Sequence, residues 1–187
     1  MLGTPKAEGY CQGNNAPDAT MANQQERLAF VAGLITGEGW FGLTCQKSVK
    51  QLKTKNGFTI YPRFCLQMND METMESVAGL FNELGLSYHV SHTKGGMRIE
   101  AVGMKRVKRI ASTFSPYLQG NKKAAARIIL EYIALRESKP QNAPYGDEEF
   151  RLVNLLRNVV NAGNGKRQVS SETIRRAPVE EANRVKI

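Results

Sequence analysis

The segment Val31-Ala32-Gly33-Leu34-Ile35-Thr36-Gly37-Glu38-Gly39 carries two patterns at once. Leu28, Val31, Leu34 and Ile35 recur at helical spacing, which predicts an amphipathic helix over 24–37. Beside that apolar stripe runs a second one of small residues, Ala29, Gly33, Thr36 and Gly37. A glycine inside a helix costs about 1 kcal/mol relative to alanine, so something must compensate. Close approach of another helix backbone is the usual compensation. Glu38 then closes the helix, where the macrodipole disfavours a carboxylate by about 0.3–1 kcal/mol. An acid set against its local field suggests a cation nearby, although a glutamate–glycine helix end is also common without any chemistry.

Downstream, the periodicity switches from helical to alternating. Strands are expected over 40–50 and 58–68 around a Lys/Asn/Gly turn at 53–57, and a second, shorter hairpin over 87–93 and 97–102 about Gly95-Gly96. Between them, Met71, Met74, Val77, Ala78 and Phe81 form one face of a helix over 70–84, stopped by Gly85. Further helices are expected over 104–114, 122–137 and 147–161, with a last short one opened by Ser171 as N-cap. Residues 1–23, without apolar period, read as a disordered leader, and 24–187 as one domain. The order helix, hairpin, helix, hairpin, helices defines an α+β fold: an antiparallel four-stranded, saddle-shaped sheet with helices on one face. Alternation names the other face as Thr44, Gln46, Ser48 and Lys50, then Tyr61, Arg63, Cys65 and Gln67, then His92, Lys94, Arg98 and Glu100. Such a set suits the reading of base edges in a major groove. It is poor in the aromatics that a single-strand platform stacks on bases.

The charge balance agrees. The 187-residue chain has 26 Lys+Arg against 17 Asp+Glu, a net charge of +9, which favours a polyanionic partner. The excess is clustered: Lys47, Lys50, Lys53, Lys55 and Arg63 lie in an acid-free run, as do Lys105, Arg106, Lys108, Arg109, Lys122, Lys123 and Arg127 in another. Segregation of this kind follows phosphates, whereas an ordinary solvated surface mixes signs. No apolar stretch has membrane-spanning length and no secretory signal is visible at the start, so no membrane partner is expected. The three cysteines, without a CxxC pair, encode neither a disulfide framework nor a zinc site, and an intracellular protein is expected.

The nine residues 31–39 resemble the signature of the LAGLIDADG homing endonucleases. Val31, Ala32, Gly33, Leu34, Ile35 and Gly39 match by identity or close kind; Glu38 stands at the acidic metal ligand and Gly37 at a position often small. Thr36 replaces the first acid of the signature. The element order, the Ser-Pro-Tyr-Leu and Lys-Lys segment and the late Ser-Ser-Glu-Thr-Ile-Arg-Arg also resemble the single-motif subgroup, from about residue 24 to 177. The resemblance implies a homodimer, because the family's active sites are assembled by two motif helices side by side; Ala29, Ala32, Gly33 and Thr36 are then the candidate interface. It further implies metal-dependent hydrolysis of both strands of a long, roughly palindromic double-stranded DNA site. Mg²⁺ (or Mn²⁺) would be held by Glu38 and the Gly37 carbonyl.

By position, Asp70 orients water, binds metal or simply caps the helix after it, and Gln67 assists or reads a base. Lys122 or Lys123, with Asn121 beside them, offsets developing charge or contacts phosphate. The segment 164–176, including Lys166, Arg167, Gln168 and Ser170, resembles the family's backbone-contacting tail. A cleavage-dead DNA-binding protein or an RNA maturase assisting intron splicing would share this architecture, and a basic RNA-binding domain with a chance motif is the remaining rival.

Overall fold

The computed structural model describes residues 19–47, 57–94 and 96–163. Helix α1 (Ala19–Glu38) runs without a linker into strand β1 (Gly39–Lys47), which pairs with β2 (Phe58–Met68). Helix α2 (Met71–Glu83), the hairpin β3 (His89–Thr93) and β4 (Gly96–Val102), and helices α3 (Met104–Phe114), α4 (Gly120–Glu137) and α5 (Asp147–Gly163) follow. The strands form one antiparallel sheet in the order β1-β2-β4-β3.

This is the α+β layer architecture read from the alternation and the helical periods. Its core side is built by Phe41 on β1, Ile60, Phe64 and Leu66 on β2, and Met97, Ile99 and Ala101 on β4, all buried. Phe64 stands between Phe41 and Phe81, with ring centroids 5.1 and 6.2 Å away, and Phe81 in turn stacks on Phe114 at 5.5 Å. Aromatic contacts at these separations hold α2 and α3 against the sheet. The abrupt turn from α1 into β1 depends on Gly39: a Cβ there would lie 2.6 Å from the carbonyl oxygen of Ile35, closer than any side chain tolerates.

Helix α1 begins at Ala19, five residues before the expected start at Gln24, and its last residue is Glu38. The polar sequence of its first turns has no apolar period, so the pattern that marks the helix starts only at Leu28. Residues 1–18, the strand extension carrying Ser48 and Lys50, and the segment with Lys166, Arg167, Gln168 and Ser170 lie outside the described residues, as does the helix expected after Ser171.

Two expectations are corrected. Ala32 does not face outward with Ala29 and Gly33; it is completely buried in the core of its own protomer. The helical period places it one position off the outer stripe, next to Val31 and Ile35. His92 does not share the open face of the sheet. Its cross-strand partner is Met97, a core-side residue, whereas Ser91 and His89 pair with Arg98 and Glu100. A strand that is polar at nearly every position gives alternation little to grip; Val90, its one apolar residue, has the parity of His92 and sets the phase.

Candidate active site and nucleic-acid interface

The exposed acid at the end of α1 stands over an open cavity. Glu38 lines a cavity of about 650 Å³ together with Thr36, Gly37, Gly39 and Trp40 from the motif, and Gln119, Asn121 and Lys122 from the start of α4. Lys122 crosses to the motif and its ammonium donates to the carbonyl oxygen of Gly39. Burial holds the Lys122 pKa below the ordinary lysine value, with the charge of Glu38 pulling it partly back. Lys123, its neighbour in sequence, is exposed. The structure therefore brings Glu38, Gly37, Asn121 and Lys122 to one cavity, and Lys123 does not line it.

Asp70 performs the local task foreseen for it. It is the N-cap of α2, accepting from the Thr73 amide at 3.2 Å and from the Thr73 hydroxyl at 2.7 Å. The Thr73 hydroxyl and amide together hold its carboxyl below the usual range. Gln67 lies at the same end of the sheet as Glu38, one residue beyond the Gly39–Leu66 pair, and its side-chain oxygen is occupied by Arg98.

The outward stripe of α1 consists of Ala29, Phe30, Gly33 and Gly37. Phe30 is 56% exposed. A Cβ added at Gly33 or Gly37 would meet nothing within 4 Å, so nothing in the described part of this chain requires a glycine there. Thr36 turns its hydroxyl inward, donating to the Ala32 carbonyl at 2.8 Å.

On the open face of the sheet the register sets Thr44 beside Tyr61, Cys65 beside Glu100, and Gln67 beside Arg98 and Ser91. Arg63 Nε lies 2.7 Å from Glu100 Oε1. Arg98 donates through Nε and Nη2 to Gln67 Oε1 at 2.9 and 2.6 Å. Trp40 folds its indole over Gly42, where any Cβ would sit 2.0 Å from the ring. Lys94 is exposed in the turn after β3, beyond the paired strand. Ser91 and His89 belong to the open face and were not singled out from the sequence; the parity of Val90 was the signal available for both.

Among the described residues no group of three or more His, Cys, Asp or Glu side chains comes together, and no helix is long and apolar enough to cross a membrane. One chain thus offers Glu38 and the neighbouring Gly37 carbonyl, both hard oxygen donors. A carboxylate and a carbonyl suit Mg²⁺, which keeps several waters and binds through one or two carboxylates together with phosphate oxygens.

The family model of the LAGLIDADG endonucleases matches residues 31–133, more than half of the chain. The protein belongs to the LAGLIDADG endonuclease family. Its fold is shared with the homing endonuclease I-CvuI in complex with its target, at TM-score 0.57 and 17% identity over 87% of this chain and 98% of that one. The archaeal intron-encoded homing endonuclease I-Vdi141I complexed with DNA gives TM-score 0.60 and 12% identity over 86% and 98%. The LAGLIDADG homing endonuclease I-GzeII, in complex with its DNA target, gives TM-score 0.55 and 17% identity, but there 81% of this chain covers 48% of the other. Comparison with curated proteins gives no match.

Proposed function

We propose that the protein is a site-specific homing endonuclease that acts as a homodimer inside the cell, making metal-dependent double-strand breaks in a long, pseudo-palindromic DNA target. The observation that carries this reading is an exposed Glu38 at the end of a family-matched motif helix, over a cavity shared with Lys122. The dimer is supported by the glycines of α1, which answer to no contact among the described residues of their own chain, and by the correspondence of this chain to about half of a longer protein of the same fold. Ala29, Gly33 and Gly37, with Phe30 beside them, are the contact residues in this reading; Ala32 is not.

In the paired molecule two Glu38 carboxylates approach across the two-fold axis. Like charges at close range favour a bound cation or a shared proton. Glu38 and the Gly37 carbonyl would hold Mg²⁺ (or Mn²⁺), which would supply activation of water and neutralisation of charge on the scissile phosphate. Lys122, fixed by the Gly39 carbonyl, presents its remaining N–H groups to charge that develops at the phosphate. Asn121, which lines the cavity, and Gln67, at the same end of the sheet, orient water or the sugar–phosphate. Asp70 organises the start of α2, which keeps the end of β2 and Gln67 in place. The open face, through Thr44, Gln46, Tyr61, Arg63, Gln67, Arg98, Glu100, Ser91 and His89, lies in the major groove. Ser48, Lys50, Lys166, Arg167, Gln168 and Ser170, outside the described residues, are read from the sequence as further DNA contacts.

The decisive experiment incubates the purified chain with Mg²⁺ and a DNA library containing its own insertion site, while light scattering gives the mass of the particle. Specific double-strand breaks by a particle of two chains are expected, and Gly33→Leu is expected to abolish both pairing and cutting. Tight, salt-sensitive binding without breaks would instead support a binding-only or maturase role, for which the loss of the first motif acid to Thr36 speaks. A single chain that cuts both strands would overturn the dimer.

A further inference from the structure

The open face holds two arginines in the same unusual state. Each has one edge of its guanidinium engaged by a neighbouring side chain on the sheet and the other edge uncommitted. Arg98 gives Nε and Nη2 to a single oxygen of Gln67. Arg63 holds Nε 2.7 Å from Glu100 as an ion pair, not an aligned hydrogen bond, between side chains that are 34% and 18% exposed. Neither guanidinium meets another acceptor among the described residues. A surface carboxylate on a face that must lie against phosphates is electrostatically costly unless it does something there. Here it pins a long, entropically expensive side chain in one geometry.

We propose that Glu100 and Gln67 are positioning residues that aim Arg63 and Arg98 as preformed end-on forks, and that each fork specifies a guanine in the major groove. This rests on the DNA-cutting reading above and deepens it by naming part of the target. A guanidinium bound along its Nε edge retains one N–H on each terminal nitrogen, pointing forward in parallel. That pair matches the O6 and N7 acceptors of guanine, and no other base edge offers two acceptors at that spacing. Arg98 lies opposite Gln67, at the Glu38 end of the sheet, and Arg63 lies four residues back along β2. At about 3.4 Å per residue the two forks are roughly 13 Å apart along the strands, which equals about four base pairs of duplex at 3.4 Å each. The two-fold axis repeats both in the other half-site. Between them, Cys65 and Trp40 offer no such fork.

The full-length protein is mixed with a randomised duplex library in the presence of a chelator, so that bound sequences are recovered uncut and sequenced. The expected result is two G·C pairs per half-site, about four base pairs apart, with other base pairs depleted about ten- to hundredfold at each. Glu100→Ala is expected to cut the preference at the outer position to threefold or less while raising affinity for the unselected library, because a negative charge leaves the face. Glu100→Gln, which keeps an oxygen acceptor and guards against a folding artefact, retains part of the preference. Gln67→Ala does the same to the inner position alone. Specific binding without guanine at that spacing overturns the proposal, as does Glu100→Ala with unchanged preference. Arg63→Lys that keeps the outer preference would assign the reading to Glu100 itself and overturn it too. Absence of any sequence-specific duplex binding fails the endonuclease reading instead.

Discussion

The two ends of the sheet treat polar groups in opposite ways. At the end that starts β2, the polar groups are largely engaged with one another, the Nε of Arg136 being the one atom of the cluster that finds no acceptor among the described residues. Tyr132 donates to the Ile60 carbonyl at 3.0 Å and the Ile60 amide donates to the Tyr145 hydroxyl at 2.8 Å. Arg136 lies over the Tyr145 ring at 4.6 Å and bonds Glu149 at 3.0 Å, while Lys139 reaches the same carboxylate at 2.6 Å and the Gly146 amide takes its second oxygen at 3.0 Å. Burial alone would raise the Glu149 pKa, but these donors reverse that and hold it at about 2. At the other end, Glu38 is exposed and Lys122 is half-buried with a single acceptor among the described residues. A polar cluster whose valences are filled from within is a staple; one whose valences stay open is an invitation to a ligand.

Substitutions that cross this divide sharpen it. Glu38→Gln is expected to lower the cutting rate by on the order of 10³-fold or more, since it removes a metal-holding charge worth several kcal/mol, with thermal midpoint and DNA affinity nearly unchanged in a cleavage and gel-shift pair. Glu149→Ala should do the reverse. It leaves Arg136 buried without its carboxylate, at a cost of about 3–5 kcal/mol in urea unfolding, while the protein that remains folded still cuts. Lys122→Met is expected to reduce the single-turnover rate about 10²–10³-fold, and Lys123→Met only slightly, chiefly through weaker and less salt-dependent binding. A large effect at Lys123 with none at Lys122 would reverse the assignment.

The pH dependence is a smaller test of the same contrast. Because the folded-state pKa of Glu149 is depressed to about 2, its contribution is fully present above the unfolded carboxylate value near 4.5 and is lost as pH falls from there towards 2. Urea midpoints between pH 5 and 3 should therefore fall less steeply in Glu149→Gln than in the parent chain. The smallest effect is expected at Asp70. Asp70→Asn keeps the cap on Thr73 and should leave stability and cutting alike, whereas Asp70→Ala should lower the thermal midpoint measurably. Loss of cutting in Asp70→Asn would show that this carboxylate serves more than the helix.

What the sequence disclosed follows the strength of its periodicity. Residues 58–68 alternate so regularly that the strand β2 puts Tyr61, Arg63, Cys65 and Gln67 outward as read, and along 71–83 the period found Met74, Val77 and Phe81 but counted the exposed Met71 into the buried face and left out the buried Leu80. The start of α1 and the phase of β3 were not, because polar runs at Ala19–Gln25 and His89–Thr93 carry no apolar signal strong enough to set a register. The resemblance identified the acid at Glu38 but left the lysine as either Lys122 or Lys123, since α4 meets the motif only through tertiary packing. The staple around Glu149 was invisible for the same reason: Tyr132 and Tyr145 converge on Ile60 from more than seventy residues away, and Arg136 joins Tyr145 to Glu149.

One further feature has a practical side. The chain contains a single tryptophan, Trp40, and it lines the cavity of Glu38 with its ring laid over Gly42. Indole emission shifts and quenches with the polarity around it, so the protein carries its own fluorophore two residues from the acid. Filling that cavity with an ion, a phosphate or a second chain changes the surroundings of the one indole the chain has, and a label-free titration can follow it in the same cuvette in which cutting is timed.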